Sequence, residues 1–230
     1  GAAEMGNAVR RIACAGGSVC RKPRHSMGSV FPMGEWQARQ VVVYPDADTE
    51  LPALLLLPRD GCRTVFVHFD DKGRCSHLES GGFLARVIGM GWQVDRNHGL
   101  LTVDLRGWGD SRPAMYPYEI YGWGGSDRFL SYTSAALGDH VMSMRIRDAV
   151  AVLTFARKLL GKTLRLVVTG HGLGGVVALH AAAMAGWVTG VATWDCLWSY
   201  LSLAGAERYP WPADAFLPGI LKYYDLPELA

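Results

Sequence analysis

The sequence lacks the features that mark disordered, membrane-spanning or nucleic-acid-binding chains. Charged residues make up 19% and hydrophobic residues 50% of the 230 positions, a composition that excludes disorder for most of the chain. No apolar run approaches the roughly 18 residues that span a bilayer. The net charge is +2, and the one basic cluster is Arg21-Lys22-Pro23-Arg24, which argues against a nucleic-acid partner. The length suits one α/β domain with a full core.

Cysteine is also scarce, and its spacing is uninformative. None of the five forms a CxxC pair, so we predict no metal site; they are Cys14, Cys20, Cys62, Cys75 and Cys196. An odd number leaves at least one free thiol. We also predict no cofactor. The first residues lack the pattern of a signal peptide, as a mature product also would, so the compartment stays open.

The chain divides into a short arm and one domain. Residues 1–35 are rich in Gly, Ser, Arg and Lys and predict an arm, while residues 36–230 predict an α/β domain with an aromatic and Gly-rich insertion at 107–138. Patterns of apolar residues and turn signals predict strands at Ala38–Tyr44, Leu51–Leu57, Arg63–Phe69 and Leu100–Leu105. Helical spacing predicts helices at Leu78–Met90 and Asp139–Leu160. The C-terminal residues look helical around Trp198–Ala204 and Phe216–Tyr224.

The most informative stretch is Leu164–Asp195. A buried strand at Leu164–Thr169 leads into the Gly-rich corner Gly170–Gly175, then a helix at Val176–Ala185 and a second strand at Val188–Trp194. A strand–turn–helix–strand unit implies two parallel strands joined by a right-handed crossover.

The Gly-rich corner is compatible with two chemistries. One is the nucleophile elbow G-x-S-x-G, with Gly172 in place of the serine. The other is the dinucleotide fingerprint G-x-G-x-x-G, formed by Gly170, Gly172 and Gly175, with Asp195 at about the expected 20 residues further on. A dinucleotide domain continues with more βα units and does not begin with an antiparallel meander. The order of elements therefore favours the elbow.

This order and two motifs resemble the α/β-hydrolase superfamily from about Ala38 to Asp195. The segment Val103–Ser111 looks like the Asp-x-Arg-Gly-x-Gly-x-Ser segment of that superfamily, and Gly170–Gly175 looks like its Gly-His-Ser-Leu-Gly-Gly elbow with the serine changed to Gly172. Among the subgroups, the chain is most similar to acetyl xylan esterases and dienelactone hydrolases. The resemblance implies a three-layer sandwich around a mostly parallel sheet, here without the last strands of the family.

The resemblance also assigns roles around the corner. It implies an oxyanion site made by the backbone N–H of Leu173 and one N–H from Phe69 or Asp70. It places Gly170 and Gly174 in the elbow and His171 packed beside it. Because Gly172 offers no hydroxyl group, it implies that serine-type catalysis does not run here.

The remaining candidates supply acid, base or support. Asp195 is the alternative acid, although an N-cap of a helix at Cys196–Ala204 is the favoured interpretation. His68, at the end of a strand, is the best spare base. Arg106 is expected to tie backbone carbonyls of its loop together. Asp70 and Asp71 are expected to be exposed loop acids.

Three functions remain open from the sequence. The first is a carboxylic-ester hydrolase-like protein for small acyl or acetyl esters, including acetylated carbohydrate, that is inactive as a serine hydrolase. The second is a pseudo-hydrolase that binds a protein partner or a second copy through an exposed sheet edge, near which lie Trp187, Trp194, Trp198 and Trp211. The third is nicotinamide or flavin binding at Gly170–Gly175.

Overall fold

The fold is known from a computed structural model. It describes residues 1–76, 98–113, 125–208 and 210–230, together with positions 78, 82 and 85. The predicted helix Leu78–Met90 and the aromatic part of the insertion, at 114–124, lie outside the described residues.

The core of the fold is a mixed sheet of seven strands: β1 (Arg24–Met33), β2 (Trp36–Tyr44), β3 (Leu51–Pro58), β4 (Thr64–Asp70), β5 (His98–Val103), β6 (Arg165–His171) and β7 (Gly190–Trp194). Their order across the sheet is β1-β2-β3-β5-β4-β6-β7. The first three strands form an antiparallel meander, and β5, β4, β6 and β7 are parallel to one another. The carboxyl ends of the four parallel strands therefore lie at one edge of the sheet, where ligand sites of such sheets form.

Five α-helices lie among the described residues: α1 (Ala2–Ala13), α2 (Gly125–Ala136), α3 (Val141–Leu160), α4 (Leu173–Ala185) and α5 (Tyr200–Ala204). Helices α3 and α4 pack against each other, and α1 packs on α4. The main apolar core joins α1, α3 and α4 to alternate residues of the strands, such as Val65, Val67 and Phe69. A smaller cluster on the opposite face of the sheet contains Leu56 and Leu100.

The structure confirms the predicted α/β class and its principal elements. The predicted strands and the helices predicted at Asp139–Leu160 and Val176–Ala185 appear within a few residues of the expected bounds, and the strand order is that of the α/β-hydrolase fold rather than of a dinucleotide domain. The segment 1–35 adds regular structure that the patterns did not indicate. Strand β1 is exposed at nine of its ten positions, so it lacks the alternation that reveals a half-buried strand.

Helix α1 is held close to α4 through a glycine. A Cβ at Gly6 would lie 2.9 Å from the carbonyl oxygen of Ala183, so the two helices approach more closely than any larger residue permits. Val9 and Ala13, on the same face of α1, are fully buried. The N-terminal helix is therefore an integral part of the main core.

The C-terminal segment corrects two expectations. The helix predicted at Cys196–Ala204 begins only at Tyr200, and its N-cap is Ser199, whose side chain accepts the N–H of Ser202. The N-cap interpretation of Asp195 is therefore wrong. The helix expected at Phe216–Tyr224 is reduced to one 3₁₀ turn, Ile220–Lys222, because Gly219 precedes it in a left-handed conformation. Among the described helices, none combines the length and apolar character that a membrane span requires.

Candidate active-site corner

The corner between β6 and α4 is as sharp as the sequence motif predicts. A Cβ at Gly170 would lie 2.2 Å from the carbonyl oxygen of Gly174, and a Cβ at Gly174 would lie 2.1 Å from the carbonyl oxygen of Phe69. Both obstacles are backbone atoms, which no side-chain rotation can move. Glycine at these two positions lets the helix start directly on top of the strand ends.

Gly172 is the residue to which the sequence resemblance assigns the nucleophile position of an elbow. Its backbone has φ 57° and ψ −129°, a conformation that L-residues rarely adopt and that costs them about 1–3 kcal/mol. The space in front of it is already taken, because a Cβ built on Gly172 would lie 2.5 Å from Oδ2 of Asp71. A carboxylate from another loop therefore stands where the side chain of residue 172 would begin.

Asp71 caps the helix that starts at this corner. The backbone N–H of Leu173, the first residue of α4, donates a hydrogen bond of 2.9 Å to Oδ2 of Asp71. A carboxylate suits this position because the first N–H groups of a helix are unpaired and carry partial positive charge. The resemblance assigns the Leu173 N–H to the oxyanion site, and here that N–H is bound to the carboxylate of Asp71. Burial raises the pKa of Asp71; the Leu173 hydrogen bond opposes this, and the charge of Asp70 adds to it.

Asp70 and His171 meet because their strands are parallel neighbours. They pair in register at the ends of β4 and β6, and Nδ1 of His171 lies 3.2 Å from Oδ2 of Asp70. Asp70 is fully buried and also accepts hydrogen bonds from the N–H of Lys72 and the hydroxyl of Ser76. The expectation that Asp70 is an exposed loop acid is wrong, since it is the last residue of a central strand; Asp71 is half-buried.

The other candidate acid and base lie on either side of this pair. His68 is buried in β4, with Nδ1 3.0 Å from the hydroxyl of Thr169, Nε2 3.8 Å from Asp70 and its ring stacked on Trp194. Asp195 has a positive φ of 50° and lies with its carboxylate 3.7 Å from Nε2 of His171. Its side chain is 83% exposed, whereas that of His171 is 9% exposed. The structure therefore brings His68, Asp70, His171 and Asp195 into one chain of contacts.

Arg106 supports the site differently from the prediction. Its guanidinium binds both carboxylate oxygens of Asp148, at 2.6 Å and 2.7 Å, and lies 3.2 Å from Asp46. It therefore ties the loop after β5 to α3 and to the β2–β3 turn through carboxylates. The expected hydrogen bonds to backbone carbonyls are replaced by this stronger bidentate pairing.

Phe69, the other predicted oxyanion residue, lies within the ladder of β4, paired with Val103 and Gly170.

Two supporting arginines, Arg74 and Arg145, have long-range partners that no signal in the sequence indicates. Arg74 bridges Asp104 and Asp110, and the N–H of Asp110 donates to Asp104, which is buried. This network joins the loop after β4 to the loop after β5. Arg145 and Asp214 form a second, fully buried pair. Their contacts span 30 to 69 positions of the chain, so only the tertiary structure reveals them.

A cavity of about 440 Å³ opens beside the corner. Its walls mix backbone of the β5 loop with charged side chains and one aromatic ring, and include Asp71, Lys72, Trp108, Arg112, Asp127, Leu173 and Asp214. Asp71 and Leu173 therefore face a space of a size that accepts a small ligand.

Three groups of the corner also have the character of metal ligands. One oxygen each from Asp70 and Asp71 and one ring nitrogen of His171 lie within 4.8 Å of one another. The cysteine spacing had indicated no metal site, and these donors come instead from the ends of two strands.

We expect Asp70 to make folding sensitive to acid. Burial acts to raise the pKa of Asp70, but the nearby His68 imidazole and hydrogen bonds from the Lys72 N–H and the Ser76 hydroxyl outweigh it and lower the pKa to about 2. Because this folded-state pKa is depressed, its stabilisation is complete above pH ~4 and is lost as the pH falls towards 2, for a total of about 2 kcal/mol. Asp70→Asn should flatten the decline of the unfolding free energy between pH 4 and 2, measured by urea denaturation. An equally steep decline in the variant would contradict the assignment, and Asp110→Asn, at an exposed carboxylate, is the control.

Comparisons with known proteins agree with this fold. No protein-family model matches the chain, and no curated protein matches it in sequence. Among solved structures, a Bacteroides fragilis protein assigned as an acetyl xylan esterase is similar over 98% of this chain and 63% of its own, with a TM-score of 0.75 and 13% identity. Acetyl xylan esterase 1 from Thermoanaerobacterium sp. is similar over 82% of this chain and 55% of its own, with a TM-score of 0.53 and 14% identity. The chain thus spans less than two thirds of the length of these proteins. It has the α/β-hydrolase fold of these esterases.

Proposed function

We propose that this chain is an ester-hydrolase-like protein of the small acyl ester class that does not turn over esters through an acyl-serine. One observation carries the proposal: position 172 has no nucleophile, and the carboxylate of Asp71 occupies both the space before it and the N–H of Leu173. An acyl-serine mechanism needs a hydroxyl group and a free oxyanion donor at this corner. Gly172 supplies no hydroxyl group, and Asp71 occupies the donor, so neither requirement is met.

The substrate class rests on the fold and on the cavity. The two similar structures are named for acetyl xylan esterase activity, and a third, with a TM-score of 0.54 and 11% identity, is a methylesterase. All three names describe esters with a small acyl or alkyl group. The cavity of about 440 Å³ beside Asp71 is large enough for such a group together with part of its polar carrier.

We expect neither burst acylation with p-nitrophenyl acetate nor labelling by a fluorophosphonate probe in the wild type. Gly172→Ser alone should remain silent, because its Cβ would lie 2.5 Å from Oδ2 of Asp71, and the same carboxylate holds the Leu173 N–H. Labelling is read by mass spectrometry of the intact chain. Gly190→Ser, at a glycine with open space, is the matched control, and heat-denatured protein sets the background.

The double variant Gly172→Ser/Asp71→Ala separates the two obstacles. Removing the carboxylate frees the Leu173 N–H, so any slow labelling that appears only in this variant identifies Asp71 as the second block. A burst from Gly172→Ser with Asp71 intact would refute the proposal. So would labelling of the wild type at a residue of this corner.

The alternative of a binding module has less support than the sequence suggested. Of the four tryptophans near the sheet edge, only Trp198 is strongly exposed, at 78%. Trp187 lies under Arg157, Trp194 stacks on His68, and Trp211 packs against the core. The described edge at β7 is therefore not an aromatic surface. For dinucleotide binding, the strand order is unfavourable.

A further inference from the structure

The corner contains a set of donors that its hydrolase fold does not use. Asp70, Asp71 and His171 present two carboxylates and one imidazole from the ends of two adjacent parallel strands. Oδ2 of Asp70 and Nδ1 of His171 are 3.2 Å apart. Two ligands bound to one zinc ion at about 2.0–2.1 Å in a tetrahedron lie about 3.3 Å from each other. This pair already has the separation that a shared ion requires.

The third donor can join without leaving its present contact. One oxygen of Asp71 accepts the Leu173 N–H, and a carboxylate has a second oxygen with its own lone pairs. All three donor atoms lie within 4.8 Å of one another, which makes them candidates to share one ion. Gly172 helps, because it adds no side chain to the space.

Neighbouring residues also position the donors, as is usual for metal ligands. The N–H of Lys72 and the hydroxyl of Ser76 fix the carboxylate of Asp70. Asp195 lies 3.7 Å from the second ring nitrogen of His171, beyond hydrogen-bond distance but on the side from which a carboxylate can orient a ligating histidine. Asp71, one of the three donors, lines the cavity of about 440 Å³, so this side of the donor set faces a space that holds water.

Charge favours a cation at this point. Asp70 is fully buried and Asp71 half-buried, and the two carboxylates are neighbours on the chain. Buried carboxylates are stable when they are paired or bind a metal ion. The helix α4 points its positive end towards the corner, but the first N–H of that end, of Leu173, is bound to the carboxylate of Asp71.

We propose that Asp70, Asp71 and His171 form a binding site for one divalent transition-metal cation of the zinc type. One imidazole with two carboxylates suits zinc, cobalt or manganese better than magnesium, which prefers oxygen ligands alone. The proposal concerns binding and does not depend on ester hydrolysis.

The test is a titration of the untagged full chain with Co²⁺, followed by displacement with Zn²⁺. Cobalt is chosen because thiolate ligands give it a near-ultraviolet charge-transfer band, which separates this site from the five cysteines. We expect one equivalent of saturable binding with visible d–d bands and without the thiolate band. Asp71→Asn should weaken binding by at least about tenfold, since it removes a charged ligand but keeps an acceptor for Leu173. His171→Gln should do the same.

The control is Asp127→Asn, the same change in the same cavity but outside the donor set, which should bind like the wild type. Thermal unfolding supplies a second measurement: Zn²⁺ should raise the midpoint of the wild type and not that of Asp71→Asn. If His171→Gln does not fold, Asp71→Asn decides alone. Absence of saturable binding, a thiolate band, or equal affinity in Asp71→Asn would overturn the proposal. The serine-probe assay involves no metal, so either proposal can fail without the other.

Discussion

Gly170→Ala is expected to lower the unfolding free energy by about 3 kcal/mol or more, measured by urea denaturation. The added methyl group would lie 2.2 Å from the carbonyl oxygen of Gly174 and 2.6 Å from Cα of Gly175. Relief of that overlap requires α4 to move away from β6 and from the end of β4. Overpacking against a side chain usually costs about 1–3 kcal/mol, and here the obstacle is backbone, which is harder to displace.

Gly190→Ala is the matched control, in the neighbouring parallel strand β7. Nothing lies within 4 Å of a Cβ at Gly190, so this change should alter the unfolding free energy by less than about 1 kcal/mol. We expect the unfolding free energy to rise, because glycine in a strand is destabilising relative to alanine. Equal effects of the two substitutions would show that the corner relaxes easily. In that case the sharp elbow would not be a requirement of the fold.

The glycine pattern explains why the fold was predictable from the sequence. Gly170 and Gly174 are needed for a strand to turn directly into a helix, and few architectures place such a corner after a meander and a βαβ unit. The alternating apolar residues of β4 then fix which strands are central. Strand β1 could not be found in this way, since its side chains are almost all exposed and its place is set by pairing with β2.

The candidate site was predictable only in part. The contact of Asp70 with His171 follows from parallel register, because each is the last residue of its strand and the strands are neighbours. The position of Asp71 on the Leu173 N–H does not follow from any spacing, as it depends on how a loop 102 residues away turns over the helix end. The absent hydroxyl at Gly172 was visible in the sequence, but the group that takes its space was not.

The second large effect is expected at the buried pair behind the cavity. Arg145 and Asp214 are 0% and 1% exposed and 2.6 Å apart, and the Arg145 guanidinium lies 4.3 Å from the centre of the Trp108 ring. Asp214→Ala would leave a buried guanidinium without its counter-charge, and burial already lowers the pKa of Arg145. Removing one partner of such a pair costs about 3–5 kcal/mol. Urea denaturation should therefore show Asp214→Ala to be one of the least stable single variants.

Two further variants test whether the unpaired charge is the cause. Asp127→Ala removes the partner of Arg112 in an exposed pair 3.7 Å apart, and should cost less than about 1 kcal/mol. Arg145→Met/Asp214→Leu removes both charges, and should be more stable than Asp214→Ala because no buried ion remains. A double variant as unstable as the single one would assign the cost to lost packing instead. Since Arg145 also donates to the carbonyl oxygen of Arg106, a stable double variant would further show that this bond adds little to the unfolding free energy.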